Sequence, residues 1–179
     1  EHGEWKFLLW DKLSGAPRMP KGAVGHRWQH EKGKWNLMPE CGLDGSTIDA
    51  ELTFLAQHDE VVQVSFQDFG AETHRLRGVP VRRIETSEGA KNVATVYDLL
   101  MAQFGVGRGL AGDYPTSYDD EDMPYTPAWA EKFTGIHRDT ILRIAREFAE
   151  NGKLTNGKST INIGAGINEV QSITRNLNG

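Results

Sequence analysis

The run with the clearest chemical potential is Gly164-Ala165-Gly166-Ile167-Asn168, directly behind Thr160-Ile161-Asn162-Ile163, which reads as a strand. A glycine-rich turn at the carboxyl end of a strand lets backbone approach a ligand closely. The spacing of Val170, Ile173 and Leu177 permits a following helix, whose free N–H groups would favour an anion at the same place. A plain strand-to-helix turn satisfies the same pattern, because Glu169 stands where the G-x-G-x-x-G fingerprint needs its third glycine. Gly105-Val106-Gly107-Arg108-Gly109 follows a helix rather than a strand, so it reads as a helix stop and flexible turn.

The remaining candidates are weaker. His26 and His30 have the i, i+4 spacing of metal ligands, but Gly22, Gly25 and Gly33 flank them and argue against a helix there. His58, His74 and His137 stand alone, the last where a helix cap belongs. Arg75, Arg77, Arg82 and Arg83 read as a salt-bridged or subunit-facing surface, and Asp119-Asp120-Glu121-Asp122 as a solvated loop without EF-hand spacing. Cys41, the single cysteine, excludes an intrachain disulfide, and also any iron–sulfur cluster or thiolate zinc site held by this chain alone. No base pairs with it convincingly, and no Gly-x-Ser-x-Gly elbow occurs. The sequence offers no catalytic residue and no metal ligand.

The elements that position these residues fall into two halves. The first reads as short strands at Trp5–Trp10, Trp35–Leu37, Leu52–Leu55 and Val61–Phe66, the last alternating Val62, Val64 and Phe66 with Gln63 and Ser65. Val79, Val81 and Arg83 share a face of another strand, and Ser87-Glu88-Gly89-Ala90 reads as a turn. The second half reads as helices. Val96, Leu99, Leu100 and Gln103 keep i, i+3, i+4, i+7 spacing before Gly105. Thr126-Pro127 starts a helix that stops at Gly135. Ile141, Ile144, Ala145 and Phe148 form the apolar stripe of the next, with Arg143, Arg146, Glu147 and Glu150 opposite and Asn151-Gly152 at its end.

The expected fold class is α/β, mixed α+β overall. A strand- and loop-rich, insertion-like segment covers residues 1–92, and an α/β segment ending in a ligand-facing loop covers 93–179. A net charge of −5 argues against a dedicated nucleic-acid partner. No apolar run reaches the ~18 residues of a membrane span. Glu1-His2-Gly3-Glu4 is charged where an export leader would be basic then apolar, and no Met precedes it, so the chain reads as a piece of something longer.

The runs Pro127–Gly135 and Thr140–Ala149, with Gly164–Asn168, resemble the molybdopterin oxidoreductases. Gly25-His26-Arg27-Trp28, Glu31–Leu37, Ala94–Leu99 and Thr116–Asp120 narrow the likeness to the catalytic alpha subunits of membrane-bound respiratory nitrate reductases. The resemblance runs from about Trp5 to Asn168, beyond which Glu169-Val170-Gln171-Ser172 departs from the family. It implies an internal fragment of a subunit that reduces nitrate to nitrite by oxygen-atom transfer in anaerobic respiration. That subunit carries molybdenum bis(molybdopterin guanine dinucleotide) and a 4Fe-4S cluster. Electrons reach it from a quinol-oxidising membrane subunit through an iron–sulfur beta subunit, on the cytoplasmic side of the bacterial membrane. The resemblance further implies that the cluster ligands and the molybdenum-ligating aspartate lie outside this chain, and that Gly164, Ala165, Gly166 and Asn168 lie against a pterin cofactor. The alternative is a non-catalytic α/β binding or interaction module derived from that family.

Overall fold

A computed structural model describes residues 8–20, 42–69 and 71–161. They hold β1 (Leu9–Asp11), β2 (Ala16–Arg18), β3 (Glu60–Gln67), β4 (His74–Thr86), β5 (Gly89–Val93), α1 (Val96–Gln103), α2 (Pro127–Thr134) and α3 (Arg138–Leu154). Strands come first and helices later, a mixed α+β arrangement. The chain divides into two compact units, Glu1–Pro115 and Thr116–Gly179.

In the first unit β3, β4 and β5 form an antiparallel sheet with β4 central. The alternation in β3 places Val62, Val64 and Phe66 half-buried and Gln63, Ser65 and Gln67 outside, as the period-2 pattern predicts. β4 is thirteen residues long and changes partner midway. Its first part pairs with β3 (Val62 opposite Val79, Val64 opposite Arg77), and its second part with β5 (Arg82 opposite Val93, Thr86 opposite Gly89). Val79 and Val81 are buried together with Ala102 of α1, and Val62, Val64, Phe66 and Ala94 pack against them. Each buried valine contributes roughly 1.5–3 kcal/mol by removal from water.

The glycine run after α1 is a helix stop and turn, with Gly105 at φ +73° and its N–H on Ala102 O, and the residues behind it are held on the sheet. Residues 110–113 lie along the edge of β4 that β3 does not occupy: Gly78 N–H donates to Ala111 O at 2.8 Å and Asp113 N–H to Leu76 O at 2.8 Å. Arg77 and Gly112 form an antiparallel bridge there. The approach is close enough that a Cβ on Gly112, at φ +145°, would stand 2.7 Å from both Arg77 Cα and Leu76 O. A Cβ on Gly78 would stand 2.9 Å from Ala111 O.

Five further sequence readings change or fall partly outside the described residues. Leu52–Leu55 forms no strand, because the backbone at Phe54 bonds a side chain of α1 instead of a neighbouring strand. The turn is Ser87-Glu88 alone; Gly89 and Ala90 already belong to β5, whose polar Gly-Ala-Lys-Asn-Val sequence carries little strand signal. β1 lies at the end of the Trp5–Trp10 run, of which Trp5 to Phe7 are outside the described residues, as is Trp35–Leu37. α1 turns its expected apolar stripe outward: Val96 is 73% exposed, while Asp98 and Ala102 are its buried residues. Thr160 and Ile161 pair with no strand among the described residues, and Asn162 and Ile163 lie outside them.

In the second unit the helix boundaries follow the sequence signals. Thr126 Oγ1 accepts from Trp129 N–H at 3.1 Å and donates to Asp120 O at 2.6 Å, capping α2 with Pro127 in its first turn. Gly135 ends it at φ +68°. His137 caps α3, its Nδ1 accepting from Asp139 N–H at 3.2 Å. The acidic run is ion-paired rather than merely solvated. Arg138 reaches Glu131 at 2.6 Å, Asp119 at 3.0 Å and Glu121 at 3.1 Å, and Lys132 pairs with Glu121 and Asp122.

The glycine contacts predict a ranking. Gly112→Ala should cost about 2 kcal/mol or more, since backbone rather than a flexible side chain blocks the new methyl group. Gly109→Ala, at φ +80° with nothing within 4 Å, should cost only about 1 kcal/mol. Urea unfolding of the two variants checks the order, and equal losses would show that the edge contact is not tight.

Candidate functional site

The residues that the sequence singles out for a cofactor, Gly164, Ala165, Gly166 and Asn168, lie outside the described residues, as do His26, His30 and Cys41. Of the others, His58 Nδ1 faces Phe54 O and Leu55 O, both at 3.2 Å, and His74 begins β4. Among the described residues no group of three or more His, Cys, Asp or Glu is placed to hold a metal ion.

What the described residues do build is a buried ionic centre in the first unit, which single-sequence reading missed. Asp98, in the first turn of α1, is fully buried. Its Oδ1 accepts from Thr53 Oγ1 and from Arg108 Nη1 at 2.8 Å; its Oδ2 accepts from Phe54 N–H at 2.8 Å and Thr95 Oγ1 at 2.8 Å. Thr95 in turn caps α1, its hydroxyl accepting from Asp98 N–H at 3.0 Å. Burial pushes the Asp98 carboxyl up, but the Thr53 hydroxyl, Phe54 N–H, Arg108 and Thr95 together hold it below the usual range. All its strong acceptor positions are filled, which suits a structural anion and not a proton carrier. The signal was present: Thr95-x-x-Asp98 is a capping-box spacing.

Two arginines complete the framework. Arg77 is fully buried, and its Nη1 donates to Ala102 O at 2.8 Å and Gln103 O at 2.9 Å while Nε donates to Asp113 O at 2.8 Å. A cation thus sits at the C-terminus of α1, where free carbonyls and the helix dipole favour it. Arg82 makes a two-pronged ion pair with Glu51, at 2.8 and 3.2 Å, and lies 4.6 Å from the Trp10 ring and 4.5 Å from the Phe54 ring. Arg77 and Arg82 are therefore interior groups rather than surface ones. Arg75 fits the salt-bridged reading through Asp68 at 2.9 Å, and Arg83 is exposed.

Beside Arg82 lies an apolar cavity of about 360 Å3, bordered by Leu8, Trp10, Leu52, Phe54, Val93 and Val96. Trp10 and Phe54 meet edge to face with centroids 5.2 Å apart. The β1–β2 turn beside it is held by Asp11, whose carboxylate accepts from Ser14 Oγ, Asp49 N–H, Leu13 N–H and Ser14 N–H. The Ser14 hydroxyl leads these contacts in bringing the Asp11 pKa down to about 2, against the opposing effect of burial.

No family model matches the chain. Among curated proteins it is 41% identical to the respiratory nitrate reductase 1 alpha chain of Escherichia coli K12, over 98% of this chain and 15% of that one. It is 36% identical to the nitrate reductase alpha chain of Bacillus subtilis 168, over 94% of this chain and 14% of that one. The nitrate reductase alpha subunit of Mycobacterium tuberculosis H37Rv is also 36% identical, over 93% and 14%. The likeness falls among oxidoreductases, specifically nitrate reductases. Within them, this chain is a homologue of the alpha chains, matching about one seventh of their length.

The ionic centre generates a stability prediction. Asp98→Asn leaves the half-buried Arg108 without its counter-charge and should cost about 3 kcal/mol. The folded pKa of Asp98 is depressed, so its contribution is complete above the unfolded value of about 3.9 and is lost as pH falls through the folded value. Urea midpoints taken from pH 6 down to pH 2.5 should fall steeply for the native sequence and less for Asp98→Asn; parallel curves would remove Asp98 as the cause.

Proposed function

We propose that this chain is a stretch of the catalytic alpha subunit of a molybdenum-dependent, quinol-linked nitrate reductase that converts nitrate to nitrite in anaerobic respiration. The observation that carries the reading is the identity of 36–41% along nearly the whole chain to nitrate reductase alpha chains that are about seven times longer. The reading extends to the complete subunit's bis(molybdopterin guanine dinucleotide) and 4Fe-4S cluster, to an iron–sulfur beta subunit and a quinol-oxidising membrane subunit, and to the cytoplasmic side of the bacterial membrane. Among the described residues no helix is long and apolar enough to cross a membrane.

Oxygen-atom transfer is the chemistry that the molybdenum centre supplies when bound. The described residues contribute scaffolding: a buried ionic centre, a sheet with one edge covered, and a capped helix pair. Contact with the cofactor falls to Gly164, Ala165, Gly166 and Asn168. Two glycines admit a ligand to the backbone, and an Asn side chain both donates and accepts hydrogen bonds to a pterin edge.

The purified 179-residue chain should form no nitrite from nitrate with a reduced dye donor and should bind no stoichiometric molybdenum; nitrite production by it would overturn the fragment reading. A chimera in which this chain replaces the matching stretch of the Escherichia coli alpha chain should reduce nitrate. In that chimera Asn168→Leu should speed release of the pterin in mild denaturant about tenfold, the loss of roughly one good hydrogen bond to the cofactor. An unchanged release rate would remove Asn168 from the cofactor's surroundings.

A further inference from the structure

Among the described helices α3 is the most strongly amphipathic, yet none of its seventeen residues is buried. Ile144 is 54% exposed and Phe148 42%, while Ile141 is half-buried and Ala145 exposed. In water an isolated helix of this length is marginal, and amphipathic helices owe most of their stability to the packing of the apolar face. The polar side needs no partner: Arg143 pairs with Glu147 one turn on at 2.8 Å, and Arg138 is satisfied by Glu131, Asp119 and Glu121. The unmet requirement is largest along the stripe from Ile141 to Phe148.

We propose that Ile141, Ile144, Ala145 and Phe148 form a docking face for another segment of the same alpha subunit, contributed from outside these 179 residues. This rests on the fragment reading above. The relatives supply the occupant's source, since the stretch matched here leaves about six sevenths of each alpha chain unaccounted for. The stripe itself sets the occupant's chemistry. It offers aliphatic and aromatic carbon with no charge on the line from Ile141 to Phe148, so the partner is an uncharged apolar surface, a helix or sheet face. A charged segment placed there would be desolvated without compensation.

The experiment compares hydroxyl-radical modification of Phe148 in the isolated chain and in the Escherichia coli chimera. Phe148 should be several-fold less reactive in the chimera. Phe148→Glu should reduce the yield of protease-resistant chimera while making the isolated chain less prone to associate. Phe148 equally reactive in both proteins, in a chimera that reduces nitrate, overturns the docking face and leaves the fragment reading intact. A chimera that accumulates, protects Phe148 and reduces no nitrate does the reverse. Protection already present in the isolated chain overturns the proposal as well: lost on dilution, it identifies a second copy as the occupant; independent of concentration, it identifies a segment of this chain.

Discussion

One buried carboxylate sets the geometry of the first unit. Asp98 is an ionised group taken wholly out of water, and such a charge is tolerated only where donors replace its hydration shell. Those donors come from three places: the loop at Thr53 and Phe54, the helix cap at Thr95, and Arg108 beyond the helix. Each segment is fixed because the carboxylate requires it. Arg108 sits at φ +44°, in the left-handed region that non-glycine residues rarely occupy, and its ion pair holds it there. Holding Arg108 in turn directs the following residues onto the free edge of β4. Arg77 closes the same circuit from below, its guanidinium joining β4 to the carbonyl end of α1 and to Asp113.

The second unit is put together on another principle. Its order is local: Thr126, Gly135 and His137 cap the helices, and Arg138 gathers carboxylates from the preceding loop and from α2. Such contacts specify where helices start and stop, but they bury little apolar surface. Surface ion pairs are individually worth at most about 1 kcal/mol. The consequence is a unit whose shape is well specified and whose apolar side is left uncovered, with Phe133 and Leu154 exposed as well as Ile144 and Phe148.

This contrast explains what was legible in the sequence. Elements defined by neighbours in the chain were readable: the alternation of β3, the Thr126-Pro127 start and Gly135 stop of α2, the stripe of α3. Elements defined by distant partners were not. Leu52–Leu55 has strand-like composition, but Asp98 claims its backbone from 44 residues away. The spacing of Val96, Leu99 and Leu100 indicates a helix correctly and its buried face wrongly, because burying Asp98 and Ala102 turns the opposite side inward. The basic run from Arg75 to Arg83 reads as surface, since nothing local shows that helix-end carbonyls await Arg77 and two aromatic rings await Arg82. The run Gly164–Asn168 reads as a ligand loop from its glycines and as a cofactor contact only through the family resemblance, and it falls in residues 162–179, outside those described.

The reach of the Asp98 contacts also bears on biosynthesis. Thr53 precedes its partner by 45 residues, and at typical translation speeds that interval is about 2–9 s. Throughout it the loop around Thr53 and Phe54 lacks the anion that orders it. The β3–β4 hairpin, whose contacts are close in sequence, is complete well before α1 is made. Ribosomal order therefore sets a sequence of events: hairpin first, helix second, and the upstream loop recruited last, after chain that lies downstream of it.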